Sequence, residues 1–592
     1  MKKYLGFILA CLLIFTGISC DEYLKTESLS AFTEESSFSN VDFATKSVLG
    51  IYSCLVNANM YGVYFFNYKI DTDIEYDYRA DNNGFINVSH YASTDATNQI
   101  KPVWDLFYRA IEYANICIDN LPESPIWENK ETTASAKKLY GEAVALRALF
   151  YYELISNWGD VPFKTKSTQA GDEYNLPKTD RDEIYEYLIQ ELKDVEDYVP
   201  WMDETTERIS KGFVKGLRAR MALAYAGYSL RNVTFETRRG RNWEEYYEIA
   251  RQECLEIMES GKHRLNPDFE NIFKVLHNYN MNLTYKESMF EIAFGRGITG
   301  SLAYNVAGVY YYTSGGTKYG NAATTKPLMM PYCYSFDGED IRRDVTVVMY
   351  QYSTKQYPTT YPRYASPGKW RREWITPNAK GISYSGVNYP LMRYADIVLM
   401  FAEAENELNG PTVAAKEALS LIRERAFDKE VWTEKVTNYV DSVAASKDDF
   451  FNAIVDERAW EFGGEFLRKY DLIRWNLLGE KLAEAKEDSY KIMNNDPEYA
   501  DKVPKYLFYK YQDDGETIEF LNLYYSLPST AIAGYTRTNW WSNMSSGNRT
   551  NMELNLSRFA HGYDPAKNNH LTAINTETLN ESNGVLSNDQ IP

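Results

Sequence analysis

Apolar residues recur at steps of three and four over two long stretches of the chain, and that period predicts helices. The first stretch runs from Phe38 to about Gly261. SNVDFATKSVLGIYSCL opens it, and KPVWDLFYRAIEYANICIDNL follows with Trp104, Phe107, Ile111, Ala114 and Ile118 on one face. Further helices begin near Ala134, Asp180 and Lys211, and NWEEYYEIARQECLEIMES closes the run. The links LPESP, NWGDVP and YVPWMD carry Pro, Gly and Asn, and links this short make sequential helices antiparallel neighbours. No clean helical repeat period is visible. Near Leu265 the texture changes, and up to Tyr389 the chain is rich in Gly, Tyr, Thr, Ser and Pro. MFEIAFG and VTVVMYQY read there as short strands. An excursion of about 120 residues is too long for a connector, and its tyrosines and tryptophans argue for order. Helical periodicity returns up to residue 480, the charged remainder is mixed, and a polar tail begins at Ser557.

One stretch organises the rest. LMRYADIVLMFAEAENELNG, Leu391 to Gly410, reads as a single helix with Tyr394, Ile397, Phe401, Ala404 and Leu408 on one face. Val398, Leu399, Met400 and Ala402 widen the apolar surface, so burial on most sides is expected. Gly410-Pro411 ends the helix. It nevertheless carries Arg393, Asp396, Glu403 and Glu405, and a core keeps a charge only when it is paired. ERAWEFGGEFLRKYDLIRW, Glu457 to Trp475, offers partners: Arg458, Glu461, Glu465, Arg468, Asp471 and Arg474 alternate with large apolar residues. Arg468, Asp471 and Arg474 are three apart, so a ladder along one helix is one reading and a solvated charged face is the other. Both describe a scaffold and not an active site.

These segments resemble the paired signature of the SusD/RagB family, the surface nutrient-binding lipoproteins of Gram-negative bacteria. EAVALRALFYYELISNWGDVPF (Glu142 to Phe163), PKTDRDEIYEYLIQELKDVEDYVP (Pro177 to Pro200) and RISKGFVKGLRARMALAYAGY (Arg208 to Tyr228) resemble further family helices, in the family's order. The resemblance spans residues 20 to 480; it departs at Gly464-Glu465-Phe466, where the family more often has Glu-Gly, and fades after Leu527. It implies a mostly α fold of tetratricopeptide-like helical hairpins, with the long excursion presenting loops on one face. It also implies a binding protein and not an enzyme. Such a protein captures oligosaccharide and closes as a lid on a SusC-like, TonB-dependent outer-membrane channel. A peptide-binding member of the same family, and behind it a glycoside hydrolase, are the alternatives.

Charge and leader narrow the class. The formal charge of −20 argues against nucleic acid and against a polybasic membrane patch. MKKYLGFILACLLIFTGIS has two lysines, an apolar run and small residues, which is an export signal too short to span a membrane. Cys20 follows at once and reads as the lipid acceptor of a bacterial lipoprotein, anchored by its acyl chains. Asp21-Glu22 imply, by resemblance, display on the cell exterior. The expected organisation is thus a signal peptide over 1–19, a lipid-attached tether over 20–37 and a helical scaffold over 38–264. A loop-rich ligand-facing region over 265–389, helices over 390–480 and a mixed C-terminal region over 481–592 complete it. Cys54, Cys117 and Cys254 fall in helical patterns and read as buried thiols. No CxxC pair occurs.

Catalytic motifs do not appear. Five histidines form no HExxH pair, and there is no GxSxG elbow or phosphate loop. Asp71, Asp73, Glu75 and Asp77 alternate as calcium ligands do, but glycine at the sixth place and glutamate at the twelfth are missing. No metal or cofactor is therefore expected, calcium being the one the alternation leaves open. Oligosaccharide binding needs flat aromatic faces for sugar rings and amides, carboxylates or guanidinium groups for hydroxyls. Trp370 and Trp374 of KWRREW, with Tyr312 and Tyr389, are the candidate stacking residues. Asp73, Asn57 and Asn59 are the candidate hydroxyl partners. Packing is the competing role for each aromatic, since helical scaffolds also use these residues as core.

Overall fold

The computed structural model describes residues 34–308, 319–359, 365–376, 383–540 and 546–588. Helix α1 (Val41–Leu55) is capped by Asn40, whose side chain accepts from the Phe43 amide, and buries Ala44, Val48 and Ile51 at steps of three and four. Helix α2 (Ile100–Asn120) buries the face carrying Trp104, Phe107, Ile111, Ala114 and Ile118. Helix α3 (Thr133–Trp158) is buried almost all round from Gly141 to Ile155. It is the central rod, and Gly159 with φ +75° ends it. Helices α4 (Arg181–Val195), α5 (Lys211–Ala226) and α6 (Trp243–Glu259) follow. Each packs on the one before it, as a stack of hairpins. This is the mostly helical architecture that the period predicts.

The excursion is closed at its base by two strands. After α7 (Phe269–His277) comes β1 (Ser288–Ile292), which pairs antiparallel with β2 (Tyr389–Arg393), placing Tyr389 opposite Ile292 and Pro390 opposite Glu291. Helix α8 (Tyr394–Asn409) then runs against α6, so the stack continues across the interruption. Leu391, Met392 and Arg393 are therefore strand and not the first turn of the helix: Met392 and Arg393 pair with Phe290 and Ser288 of β1, and Leu391 O accepts from Arg220. Helix α8 is buried continuously from Tyr394 to Asn406. Helices α9 (Val413–Ala426) and α10 (Lys447–Phe462) pack on it. Glu457 to Trp475 is not one helix. The chain breaks at Gly463-Gly464, with φ +77° at Gly464 and +61° at Phe466, and restarts as α11 (Arg468–Arg474).

Beyond α12 (Leu478–Met493), β3 (Tyr506–Tyr511) lies between β4 (Ile518–Phe520) and β5 (Thr536–Asn539) in a small antiparallel sheet. Its apolar side joins Tyr332, Tyr334 and Trp475 in a second core. After α13 (Ser546–Arg558) the polar tail returns to the first scaffold. There the Thr572 amide donates to Asn157 O at 2.7 Å, Trp158 Nε1 donates to Ala573 O at 3.3 Å, and Ile574 is buried. The tail is thus docked; backbone hydrogen bonds hold it, and these leave no apolar signature. Cys54, Cys117, Cys254 and Cys333 are free and buried.

Arg393 at the end of β2 and Asp396 and Glu403 of α8 find partners in Glu457 to Trp475, joined by others from elsewhere in the chain. Arg393 donates to Glu287 and Glu461 at 2.9 Å each and to both oxygens of Glu465 at 2.7 and 2.8 Å. Around it Arg425 meets Glu287 and Glu461, Lys369 meets Glu465, and Arg342 meets Asp340 and Glu457. Arg423 also reaches Glu457, at 2.7 Å. Five cations thus face five carboxylates, all buried. Burial alone would raise the Glu461 carboxyl, but Arg425, Arg393 and Arg342 hold it well below the usual carboxylate range. A second set links Asp396 to Arg220 and Arg458, Arg458 to Asp471, and Asp471 to Arg474, which pairs with Glu403. The charged face is interior, and Arg468 leaves the ladder to clamp Asp73 at 2.9 and 2.7 Å.

Candidate ligand-binding face

The frame decides which aromatic side chains reach the surface. Trp370 does not: it is 0% exposed, donates Nε1–H to Gly464 O at 2.8 Å and packs against Phe273, His277 and Tyr389. Tyr389 is buried too, donating its hydroxyl to Glu465 O at 2.6 Å and stacking on Tyr61. Both are core anchors, because the strand and turn that carry them face the Arg393 network. Their expected role as stacking residues is corrected accordingly. Trp374 is half-buried, with the Arg371 guanidinium 4.9 Å from its ring, the Lys274 ammonium at 5.7 Å and His277 edge-on. Tyr312 and Cys20 lie outside the described residues.

Asp73 is already engaged. Both of its carboxylate oxygens are held by Arg468, so it braces a loop against α11. Nor do the alternating acids converge as calcium ligands. Asp71 accepts from the Asp77 and Ala560 amides, Asp77 pairs with Arg79, and Glu75 is buried with burial pushing its carboxyl up to about 8.

Asn57 and Asn59 share a tight turn. Asn57 Oδ1 accepts from the Asn59 amide at 2.9 Å, and the turn leads to Tyr64, whose amide donates to Ala58 O. Tyr64 is 38% exposed and stacks on Phe85 with ring centroids 4.0 Å apart and planes 12° from parallel. Phe85 covers one face of that ring and is itself buried, while Tyr64 remains part-exposed. Phe85 opens a short helix whose preceding loop holds Asn82 beside Gly84. The side-chain amides of Asn59 and Asn82 take no partner among the described residues. A rigid aromatic plane flanked by free amides can stack on a sugar ring and hydrogen-bond its hydroxyls.

The surface continues into the excursion. The Ser301 amide donates to Gly62 O at 3.1 Å, joining the turn to the loop that follows β1. On that loop Ile298 is exposed, Arg296 lies 5.1 Å over the exposed Tyr279 ring, and the Gly297 amide donates to O of the exposed Tyr384. Tyr64, Phe85, Tyr279 and Arg296 were not among the sequence candidates. The one signal for Tyr64 is its place in NANMYGVYFFNY, an aromatic run next to asparagines.

A groove of about 680 Å³ lies beside the end of α9, lined by Tyr334, Trp460 and Tyr524 with Asp337, Arg343 and Lys435. Its polar groups are already engaged: Lys435 pairs with Asp337 at 3.0 Å, and Arg343 pairs with Asp344 and caps the Tyr524 ring. The open ring of Tyr64 needs no such rearrangement to receive a ligand.

Comparison with known proteins follows the same outline. The SusD family model matches residues 300–537, and a model described as starch-binding associating with outer membrane matches residues 23–223. SusD-like protein P25 of Formosa agariphila is 26% identical over 526 residues, covering 80% of this chain and 90% of that protein. A SusD-like protein of Bacteroides ovatus is 24% identical over 455 residues, covering 74% and 77%. Among solved structures, a SusD homolog from Bacteroides thetaiotaomicron superposes with a TM-score of 0.69 at 24% identity, over 77% of this chain and 90% of that one. Surface glycan-binding protein A from the same organism, in complex with laminarihexaose, gives 0.56 at 18% identity, over 74% and 91%. These two likenesses establish the fold.

Proposed function

This chain belongs to the SusD/RagB family, and on that premise we propose that it binds oligosaccharide at the bacterial outer membrane and hands it on unchanged. The observation that carries the reading is the part-exposed Tyr64 ring stacked on Phe85, with Asn57, Asn59 and Asn82 on the turns that precede the two rings. The recipient is a SusC-like, TonB-dependent channel, and the protein acts as its lid. A lipid on Cys20 holds it to the outer leaflet, facing the cell exterior. It performs no chemistry on its ligand. A stacked pyranose covers roughly 80 Å² of apolar surface, so Tyr64 contributes about 2 kcal/mol, or roughly thirtyfold in Kd. Release into a channel requires modest affinity, about micromolar to millimolar.

Affinity electrophoresis of the purified chain across a panel of neutral and acidic polysaccharides tests this, followed by calorimetry on oligosaccharides from the retained polymer. Tyr64→Ala is expected to lose most of the retardation with its melting temperature nearly unchanged. Retention unaffected by Tyr64→Ala would move the site elsewhere, and retention of peptides but no glycan would favour the peptide-binding alternative.

A further inference from the structure

The polar loop between residues 71 and 91 meets the C-terminal segment through three side chains outside the ligand face. Asp81 Oδ1 lies 2.8 Å from Nδ1 of His90, and Asp81 Oδ2 lies 2.8 Å from Nε2 of His561. The three groups' ligating atoms all fall within 4.8 Å of one another. His90 is 0% exposed, whereas Asp81 and His561 open to solvent. The other ring nitrogen of His90, Nε2, lies 2.9 Å from the backbone oxygen of Asp77.

That last contact fixes the tautomer. A carbonyl oxygen only accepts, so Nε2 carries the proton. A neutral His90 then points the Nδ1 lone pair at a carboxylate oxygen, acceptor against acceptor. Either a second ring proton or a cation between the two groups removes the clash. An imidazole whose distal N–H is held by a backbone carbonyl is the orientation metal-bound histidines adopt. The second imidazole converges on the same carboxylate, so two imidazoles and one carboxylate lie within reach of one ion.

We propose that Asp81, His90 and His561 hold a divalent transition-metal ion of the zinc type, with water in the position open to solvent. Two imidazoles and one carboxylate suit Zn²⁺, whereas Ca²⁺ takes six or more oxygens. The ion fastens the loop bearing Asn82 and Phe85 to the tail. The same two segments already meet where the Ala560 amide donates to Asp71, the Gly562 amide donates to His90 O and Arg558 donates to Tyr78 O. The clamp is structural: it stiffens the support behind Tyr64 and touches no ligand.

The test uses the full chain without a histidine tag, stripped with chelator and dialysed. Co²⁺ titration is expected to give visible d–d absorption that saturates at one equivalent and is abolished by Zn²⁺. Zn²⁺ at about a hundredfold excess over its Kd raises Tm by a few degrees. His561→Ala, a substitution at a side chain open to solvent, and Asp81→Asn are expected to lose both signals while folding normally. No Co²⁺ absorption in the unsubstituted chain, equal binding by His561→Ala, or a thermal shift that Ca²⁺ alone reproduces would each overturn the proposal.

Discussion

Arg393→Met tests whether the frame is held by its buried charges. The substitution keeps most of the side-chain volume and removes one of the five cations that face five carboxylates, so four cations remain for five carboxylates. Glu465 keeps only Lys369, at 2.6 Å, and Glu461 keeps Arg425 and the longer contact to Arg342 at 3.3 Å. Breaking one side of a buried ion network costs about 3–5 kcal/mol. Urea unfolding at neutral pH reads this as a lower midpoint at unchanged slope. The sign of the pH dependence follows from Glu461, whose carboxyl lies below its ordinary value in the folded chain. Its contribution is complete above about pH 5 and is lost as pH falls below its unfolded pKa of about 4.3 towards the folded one. The deficit of Arg393→Met is therefore widest near neutrality and narrows in acid. Adding Glu465→Gln restores equal numbers and should recover part of the loss. A single-variant deficit below about 1 kcal/mol would refute the reasoning and mean that water reaches the cluster.

Glu75 gives the opposite slope: burial, then Asp73, push its carboxyl up to about 8, and its Oε2 has no partner among the described residues. The folded chain holds a proton that the unfolded chain releases, so stability falls by about 1.4 kcal/mol per pH unit between the two pKa values and levels off above about pH 8. Glu75→Gln should flatten that slope; parallel pH profiles for the two proteins would count against it. Trp370→Ala should cost about 3–5 kcal/mol in chemical unfolding, as emptying a core site does, while glycan retention below the melting point persists. Loss of retention in a still-folded Trp370→Ala would return Trp370 to the ligand. Cys20→Ala should release the protein from membrane fractions, and continued sedimentation with membranes would exclude the lipid anchor.

The frame was largely legible in the sequence and the ligand face was not. Asp396 and Glu403 had to be paired inside a helix with no polar side, as had Arg393 at its threshold, and Glu457 to Trp475 offered much of the opposite charge. Local breaks were harder to see. Leu391 to Arg393 are as apolar-rich as the helix they precede, so only the pairing with β1 shows them to be strand. Arg468 left its ladder because Gly463-Gly464 turned α11 towards Asp73. Trp370 and Tyr64 show the limit of composition most plainly. Each lies in an aromatic-rich, loop-like stretch, and which one faces water depends on what lies behind it: Gly464 and Tyr389 for the first, Phe85 for the second. Those neighbours are distant in sequence.

The equality of cations and carboxylates around Arg393 has a consequence for the exterior. Because that cluster sums to zero, the whole formal excess of twenty negative charges lies outside it. Dissolved ions do not enter the cluster, so salinity should leave cohesion of the fold nearly unchanged. The outer excess is screened over about 8–10 Å in ordinary saline. Sulfated or uronate-rich polymers should therefore approach slowly in dilute medium and faster in brine, while uncharged polymers should arrive at the same rate in both.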